Sequence, residues 1–392
     1  MNPFIIYILA FGSALGLYIF NWSNLYPELT FSLVFFLGVS SLICGYISLK
    51  MSKENKFEYK DIKKNRIGDI ALAINSLLFV ADFIYAGYIP MFDMKKYLEF
   101  SGIPMVHVFI YTFNIFLGIY LFHIFISEKT IKNFLKYTIT FLPAFLLVSR
   151  GMIMNIVIGS GIIFILKYGK WEFYKKNFIK LIIVCLVGLF GFGVYGNIRN
   201  NSINGANNKL DSSYIMSVGG AREEFKKSII PKEYFWGYLY ISSPLANLQN
   251  TIIEHKPKIN GGNFYKFLSN EVTIDFIAKR VFKNYEKNKS EKKIPLITPH
   301  LTVSTVYTGA YYYLGWLGVW LMFAILIGGS YLYMNFISDD NPLRVIAIAM
   351  LCNLVALCAF SNMVNFSGMS FQLIFPILLE IYLKVKRSKS EN

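Results

Sequence analysis

The chain has 392 residues, of which 55% are hydrophobic, 17% aromatic and only 16% charged, with a formal net charge of +16. Soluble domains carry about 25% charged residues, and the apolar residues here come in blocks of roughly 20, the length that crosses a bilayer. This composition excludes an ordinary soluble protein. It also argues against nucleic acid as a partner, because much of the positive charge flanks membrane segments, where it sets topology and contacts anionic headgroups.

The apolar blocks predict an all-α, polytopic helical bundle. A transmembrane β-barrel strand alternates apolar and polar residues, whereas the stretch 181–193 is continuously apolar. Inside lipid the backbone must satisfy its own hydrogen bonds, and helices do so within one segment. We predict about ten transmembrane helices, at residues 3–21, 30–49, 69–89, 104–126, 132–148, 151–167, 178–198, 303–334, 343–362 and 367–385.

Basic residues cluster between the second and third helices, between the sixth and seventh helices, and in the C-terminal tail. The positive-inside rule predicts that all three clusters, and with them both termini, face the cytoplasm. The turn 21–29 has no Lys or Arg and is predicted to lie outside. The clustered residues are Lys50, Lys53, Lys56, Lys60, Lys63, Lys64, Arg66, Lys167, Lys170, Lys175, Lys176, Lys180, Lys384, Lys386, Arg387 and Lys389.

This orientation requires a chain reversal near Arg150. The stretch 135–166 is apolar except for Ser149-Arg150-Gly151, and a single span there would move the cluster 167–180 to the outside. Two short helices hinged at Arg150 keep every basic cluster inside. Arg150 is then predicted at the outer mouth of the bundle, with a re-entrant pair of helices as the alternative.

We predict three regions: N-terminal transmembrane helices in 1–198, a large outer loop in 199–302, and C-terminal helices with a cytoplasmic tail in 303–392. Long loops are translocated largely regardless of charge, so a basic loop can lie outside. Its aromatic run 234–253 suits the headgroup interface, and apolar residues in 271–285 recur at a helical spacing. The Lys/Glu stretch 284–293 is predicted to be a solvated turn.

No P-loop, Rossmann fingerprint, HExxH or GxSxG motif occurs in the sequence. The remaining candidates are cationic residues in the predicted outer parts of the chain. Most basic residues of the chain are lysines, so the arginines among them are notable. A guanidinium binds phosphate oxygens through two parallel hydrogen bonds, so several arginines around one cavity would suit a pyrophosphate. Solvated arginines or structural ion pairs are the alternative. The candidates are Arg150, Arg199, Arg222, Arg280, His255 and His300.

Two further residues carry candidate chemistry. Asp82 lies in the outer half of the third predicted helix, where an ionisable residue marks a functional site or a structural salt bridge, and Arg150 and His107 are its candidate partners. His300 opens the eighth predicted helix. Histidine is the usual proton shuttle near neutral pH, although a capping or packing role is the alternative.

Three stretches carry a resemblance to a known family. They are Leu147-Val148-Ser149-Arg150-Gly151 at the hairpin, Tyr234-Phe235-Trp236-Gly237-Tyr238 followed by Ser243-Pro244-Leu245, and the stretch Thr302 to Gly318. With its helix count, cytoplasmic ends and one major outer loop late in the sequence, the chain resembles the Wzy-type oligosaccharide repeat-unit polymerases. The resemblance in architecture covers the whole chain.

The resemblance implies a glycosyltransferase in the bacterial cytoplasmic (inner) membrane, with membrane lipid around it and no cofactor or metal. An undecaprenyl-pyrophosphate-linked glycan would be the donor, a hydroxyl of a second lipid-linked repeat unit the acceptor, and a chain-length-regulating co-polymerase a partner. Arg150, Arg222 and Arg280 are expected to stabilise the departing pyrophosphate, and His300 to orient or deprotonate the acceptor. The expected substrate-binding residues are Arg199, Asp82, Tyr307, Trp236 and Tyr238.

Three other activities stay open at this point. An O-antigen ligase would use the same donor with a different acceptor, and a lipid-linked oligosaccharide flippase would be a transporter with shorter loops. A membrane acyltransferase would need a catalytic histidine within the bundle, for which His107 and His123 are the candidates.

Overall fold

The computed structural model describes residues 1–62, 66–93, 96, 99–169, 171–203 and 207–391. Within these residues the chain is helical, and its strand-like pairing is one antiparallel bridge between Ser23 and Ala221. The prediction of an all-α fold is therefore confirmed. Lys63, Lys64 and Lys170, which belong to the predicted basic clusters, lie outside the described residues.

The N-terminal part of the chain consists mostly of long apolar helices. These are α1 (Pro3–Ile19), α2 (Phe31–Lys53), α3 (Arg66–Ala86), α4 (Val106–Glu128), α5 (Ile131–Ile139), α6 (Phe141–Leu146), α7 (Arg150–Tyr168) and α8 (Trp171–Ile203). The next part consists of shorter helices around one long helix. These are α9 (Ser213–Val218), α10 (Glu223–Lys227), α11 (Tyr234–Glu254), α12 (Gly261–Phe267) with a π-helical turn at Leu268–Val272, α13 (Asp275–Val281) and α14 (Tyr285–Glu291).

Long apolar helices return after residue 305. These are α15 (Val306–Phe323), which continues through a π-helical turn at Ala324–Gly328 into α16 (Gly329–Phe336), then α17 (Arg344–Leu357), α18 (Ser367–Ser370), a 3₁₀ turn at Phe371–Leu373 and α19 (Ile374–Glu391).

Among the described residues, seven helices are long and apolar enough to cross a membrane. They cover Phe31–Lys53, Arg66–Ala86, Val106–Glu128, Arg150–Tyr168, Lys175–Ser202, Val306–Phe336 and Ser367–Lys386. Two shorter apolar helices, α1 and α17, lie in the same bundle, and α17 packs between α1 and α7. The chain is therefore a membrane protein, and its helix positions agree with the prediction of about ten.

Polar residues inside the bundle pair across helices. Asn75 of α3 donates to Asn114 of α4 at 2.8 Å, and Tyr7 of α1 donates to Ser40 of α2 at 3.0 Å. Such pairs satisfy buried polar groups where water is absent, and they fix the register of neighbouring helices. The pairings also make α3 antiparallel to α4, because Asp82 near the end of α3 contacts His107 at the start of α4.

The bundle has two chemically different ends. At the basic end, Lys167 contacts Asp61 at 2.6 Å, Arg344 donates to the carbonyl of Lys56 at 2.9 Å, and Lys384 of the tail lies near the carbonyl of Phe336. Residues of all three predicted basic clusters therefore lie at this end. The opposite end, called the loop end below, carries the turn after α1, the starts of α4, α7 and α15, and the helices α9 to α14.

The helical hairpin breaks where the sequence predicts. Its first arm is divided into α5 and α6, and the chain turns between Leu146 and Arg150. Val148 takes φ +55° in this turn, a left-handed conformation that costs an L-residue roughly 1–2 kcal/mol. Ser149 ends the turn, and its hydroxyl accepts a hydrogen bond from the backbone N–H of Met152 as the N-cap of α7.

The segment before α15 contains more helix than the sequence predicts. The aromatic run 234–253 forms α11, a 21-residue helix that packs against α1, α8 and α15. The stretch 284–293 is solvated as predicted except at Tyr285, whose side chain is buried, but the prediction of a turn is wrong, because Tyr285–Glu291 is helical. Its buried aromatic ring attaches this turn of helix to the protein.

Candidate functional site

A buried carboxylate pairs with a histidine at the loop end. The side chain of Asp82 is fully buried, and its Oδ2 lies 2.6 Å from Nδ1 of His107, whose side chain is 27% exposed. Asp82 Oδ1 accepts a hydrogen bond of 2.7 Å from the backbone N–H of Ile103. A side chain at Gly102 would begin about 2.2 Å from that carboxylate oxygen, so the loop approaches the carboxylate closely only because residue 102 is glycine. Of the two partners predicted for Asp82, His107 is the one that it contacts.

Arg150 lies next to this pair along a chain of contacts. The ring of His107 is 6.2 Å from that of Tyr111, and the Tyr111 hydroxyl is 3.0 Å from the hydroxyl of Ser149. Arg150 begins α7 directly after Ser149, is exposed, and lies over the ring of Tyr195 at 5.7 Å. Tyr195 and Arg199 are one helical turn apart on α8, so the contact of Arg150 with Tyr195 places Arg150 beside the part of α8 that carries the exposed Arg199.

The electrostatics at the start of α7 favour an anion. Arg150 makes no ion pair with any residue that the structure describes, and the N-terminal backbone N–H groups of α7 add a partial positive charge. Negative groups of a ligand can therefore contact a guanidinium and a helix N-terminus at the same place.

An apolar groove of about 550 Å³ lies between α3, the helix that carries Asp82, and the broken helix α5–α6. Phe79 and Phe83 of α3 line one wall, and Leu142 and Leu146 line the other. The loop after α3 is held to the end of α6 by a hydrogen bond of 2.9 Å from the N–H of Met91 to the carbonyl of Leu146. The groove therefore ends within four residues of Arg150 in the chain.

Arg222 and two of the predicted aromatic residues lie elsewhere at the loop end. Arg222 is half-buried, and its Nε approaches the carbonyl of Ser23 at 3.4 Å beside a cavity of about 310 Å³. Trp236 donates to Asn197 at 2.7 Å, which joins α11 to α8. Tyr238 is buried and stacks on Tyr26 at 5.4 Å, and burial raises the pKa of Tyr238 to about 12.

The other predicted site residues are also dispersed. Arg280 is exposed and folds back over the ring of Phe276 at 3.8 Å, while donating to the carbonyl of that residue. His300 is exposed in the loop before α15. Tyr307 is fully buried between α1 and α2, where its hydroxyl donates to that of Tyr7 at 2.9 Å. This environment is that of a packing residue inside the bundle.

Thus the structure pairs Asp82 with His107 and links this pair through Tyr111 and Ser149 to the start of α7, where Arg150 lies. Arg199 lies one helical turn from the ring that Arg150 contacts, and no described hydrogen bond, ion pair or ring contact joins Arg222, Arg280 or His300 to these residues. Sequence reasoning named His107 only as a partner of Asp82 and as an acyltransferase candidate. The signal in the sequence was the position of His107: in two consecutive antiparallel helices, the last turn of the first helix lies beside the first turn of the second, so Asp82 and His107 are neighbours. Across the described residues, no group of three or more His, Cys, Asp or Glu side chains could hold a metal ion.

Comparison with known proteins adds one finding. A family model described as "Putative O-antigen polymerase" matches residues 2–216, more than half of the 392-residue chain. No curated protein and no solved structure matches the chain significantly. The matched region contains Asp82, His107, Arg150 and Arg199, and the resemblance seen in the sequence is confirmed. The chain belongs to the O-antigen polymerase family.

Proposed function

We propose that this protein polymerises undecaprenyl-pyrophosphate-linked oligosaccharide repeat units, as a metal-independent glycosyltransferase at the outer leaflet of the bacterial cytoplasmic membrane. One observation carries the proposal: a chain of contacts at the loop end links an apolar groove, an Asp–His pair and Arg150, which forms no ion pair with a described residue. A polyprenyl pyrophosphate needs an apolar and a cationic environment side by side. A hydroxyl acceptor needs a base close to both.

The orientation follows from charge. The lysines and arginines of the short connections and of the tail lie at the basic end, and the positive-inside rule, which applies to short loops, assigns that end, with both termini, to the cytoplasm. The loop end with its helices α9 to α14 then faces outward. Lipid-linked repeat units that have crossed the membrane meet the groove and Arg150 from the outer leaflet.

The groove positions the lipid more than it attracts it. A prenyl tail that moves from bilayer to an apolar wall gains little, because lipid is as apolar as the protein surface. Phe79, Phe83, Leu142 and Leu146 therefore direct the tail. Affinity must come from the pyrophosphate, through charge-assisted hydrogen bonds to Arg150 and Arg199.

The chemistry assigns a role to each polar group. The acceptor hydroxyl oxygen forms a bond to the anomeric carbon of the donor, and the bond from that carbon to the pyrophosphate oxygen breaks. The hydroxyl proton passes to Nε2 of His107, whose Nδ1–H is held by Asp82. Undecaprenyl pyrophosphate leaves with the bonding electrons, and its growing negative charge is stabilised by Arg150.

Arg222, Arg280 and His300 keep supporting roles in this proposal. They belong to the segment between α8 and α15, which would contact the glycan parts of the substrates above the membrane. Trp236 and Tyr238 fix α11 against α8 and the turn after α1. A co-polymerase that sets chain length stays a prediction from the resemblance.

The test is a reaction of the purified full chain in liposomes, supplied with the undecaprenyl-pyrophosphate repeat unit and EDTA. A ladder of longer lipid-linked glycans is the expected product. Transfer only to an added lipid A-type acceptor would identify a ligase instead. Movement of the lipid across the bilayer without any new bond would identify a flippase. Each of these two results would contradict the proposal.

A further inference from the structure

A second cationic site lies in the same end of the molecule, outside the region matched by the family model. It is a cavity of about 210 Å³ between the segment that follows α11, the end of α14 and the third turn of α15. Its lining, called the lysine cavity below, includes Lys256, Lys258, Lys266, Lys292, His255 and Glu291. We propose that the lysine cavity binds the pyrophosphate group of a second lipid-linked glycan.

The charge balance of the cavity favours a polyanion. Four ammonium groups face Glu291 in the lining and the buried Glu271 behind it, which leaves a net charge of +2 (four minus two). Lys266 is only loosely paired with Glu291 at 3.7 Å, and Lys256 and Lys258 form no ion pair with another described residue. A concave surface lined by one sign of charge concentrates counter-ions, and lysine is a common phosphate ligand.

Hydrogen bonds and a buried carboxylate hold parts of the cavity lining in place. Glu271 is buried, holds the ammonium of Lys292 at 2.7 Å, and accepts a hydrogen bond of 3.1 Å from Asn362. On the other wall, the side chain of Asn263 donates to the carbonyl of Lys258 at 2.7 Å, so the backbone there is fixed. The ammonium of Lys292 and the backbone at Lys258 are therefore held in defined positions on two sides of the cavity.

The floor of the cavity depends on a kink in α15. The imidazole of His255 stacks on Tyr312 at 4.2 Å and donates from Nε2 to the carbonyl of Tyr312 at 2.9 Å. Pro257 packs against Gly315, and a Cβ added to Gly315 would lie 2.9 Å from the proline ring. The backbone of Gly315 also has φ +61°. A residue with a side chain would be strained at this φ and would clash with Pro257.

The position of the cavity favours a lipid-anchored source for the anion. Two lining residues, Tyr312 and Tyr313, lie in α15 just before its break at Gly315, within the apolar stretch Val306–Phe336. The lysine cavity therefore adjoins an apolar, membrane-embedded part of the chain, where a lipid-anchored anion can reach it.

The identity of the ligand as a glycan lipid rests on the proposed function, whereas anion binding itself does not. Polymerisation uses two lipid-linked substrates, and each carries a pyrophosphate. The start of α7 accounts for one of them. The lysine cavity, made by other elements, accounts for the other.

The experiment measures binding of inorganic pyrophosphate to the full chain in lipid nanodiscs, at fixed ionic strength, by calorimetry. We expect Lys256→Gln/Lys258→Gln to weaken binding at least tenfold and Lys256→Arg/Lys258→Arg to keep it within threefold. The control Lys209→Gln/Lys227→Gln removes two exposed lysines of the same segment and should change binding less than twofold. Equal losses in the cavity and control variants would overturn the proposal.

A second arm separates pyrophosphate from bilayer phospholipid. Nanodiscs of phosphatidylglycerol and of phosphatidylcholine are compared, and pyrophosphate is expected to bind in both, more weakly in the anionic lipid. Binding of phosphatidylglycerol that pyrophosphate cannot displace would overturn the assignment to pyrophosphate. If pyrophosphate binding depends on the lysine cavity but no polymer forms, only the proposed function is refuted. If a polymer ladder forms but pyrophosphate binding does not depend on the lysine cavity, only the role of the lysine cavity is refuted.

Discussion

The proposed site at the start of α7 and the lysine cavity would bind anions by different means. Around Arg150 there are few charges, and they are held by secondary structure: Asp82 is buried, and Arg150 is fixed at the first position of α7. In the lysine cavity there are more charges on more flexible side chains, such as Lys256 and Lys258. The difference indicates a division of labour, because chemistry requires fixed geometry whereas retention of a substrate requires only a positive field.

Arginine and lysine suit these two tasks. A guanidinium presents a planar fork that can follow the oxygens of a leaving group, and an ammonium acts as a point charge. Near the arginine, the Asp82–His107 pair adds a base that is held in place by a buried carboxylate. Loss of the first site should therefore lower the rate of reaction, and loss of the second should lower affinity.

The largest effect is expected at Arg150. Replacement of one preorganised donor to a developing anion typically costs about 10²–10³ in kcat, so Arg150→Ala should lose that much and Arg150→Lys less. The measurement is the initial rate of undecaprenyl pyrophosphate release. Lys132→Ala, which removes an exposed cation from the start of α5, is the control and should react normally. An Arg150→Ala rate within threefold of wild type would remove Arg150 from the reaction.

Asp82 should come next. Asp82→Asn leaves an acceptor for the N–H of Ile103 but removes the charge that holds the His107 imidazole, and we expect a 10–100-fold lower kcat, the usual range for partners of a functional histidine. A double-mutant cycle with His107→Ala measures whether the two act as a unit. If they do, the double variant is no slower than His107→Ala alone. Additive losses would mean that Asp82 only supports the fold.

The arginines of the loop segment should matter less. Arg222 and Arg280 are each held by local contacts, with the Ser23 carbonyl and with the Phe276 ring. Arg222→Ala and Arg280→Ala are expected to reduce kcat/KM by about two- to tenfold, in line with losses of about 0.5–1.4 kcal/mol. Kinetics of both variants beside Arg150→Ala give the ranking. A loss of kcat/KM as large as that of Arg150→Ala would place catalysis in the loop segment and contradict the division of roles between the two sites.

The smallest effect is expected at the turn before α7. Val148→Gly removes the cost of a left-handed β-branched residue at φ +55°, so thermal stability should be unchanged or slightly higher. The turn also gains conformations in the free protein, and kcat should fall about two- to fivefold as Arg150 becomes less well positioned. Val148→Ala keeps the backbone restriction and serves as the control. A faster Val148→Gly variant would mean that the turn does not position Arg150.

The sequence predicted the parts of the fold that bilayer physics determines. Apolar blocks gave the long helices, as with the predicted range 104–126 against Val106–Glu128, and the distribution of lysines predicted the reversal at Arg150. The kink of α15 at Gly315 and the helix α11 were not predicted. Both depend on tertiary contacts, such as that of Pro257 with Gly315, that no local pattern contains.

The candidate site was predicted only where neighbouring helices imply contact. Asp82 and His107 lie on consecutive antiparallel helices, so their pairing was among the expectations. The predicted grouping of Arg150 with Arg222 and Arg280 rested on residue type alone, and the structure holds each in its own environment. The lysine cavity draws residues between 255 and 313 from the loop after α11 and from the regions of α12, α14 and α15, and only the folded chain shows that they meet.

The most direct test of the central claim compares wild type with Arg150→Ala in liposomes supplied with the undecaprenyl-pyrophosphate repeat unit and EDTA. The account predicts a ladder of lipid-linked glycans from wild type and at least a hundredfold less product from the variant. Equal ladders from two folded proteins would contradict it. They would show that the polymerase site lies away from Arg150 and from the apolar groove between α3 and α5–α6.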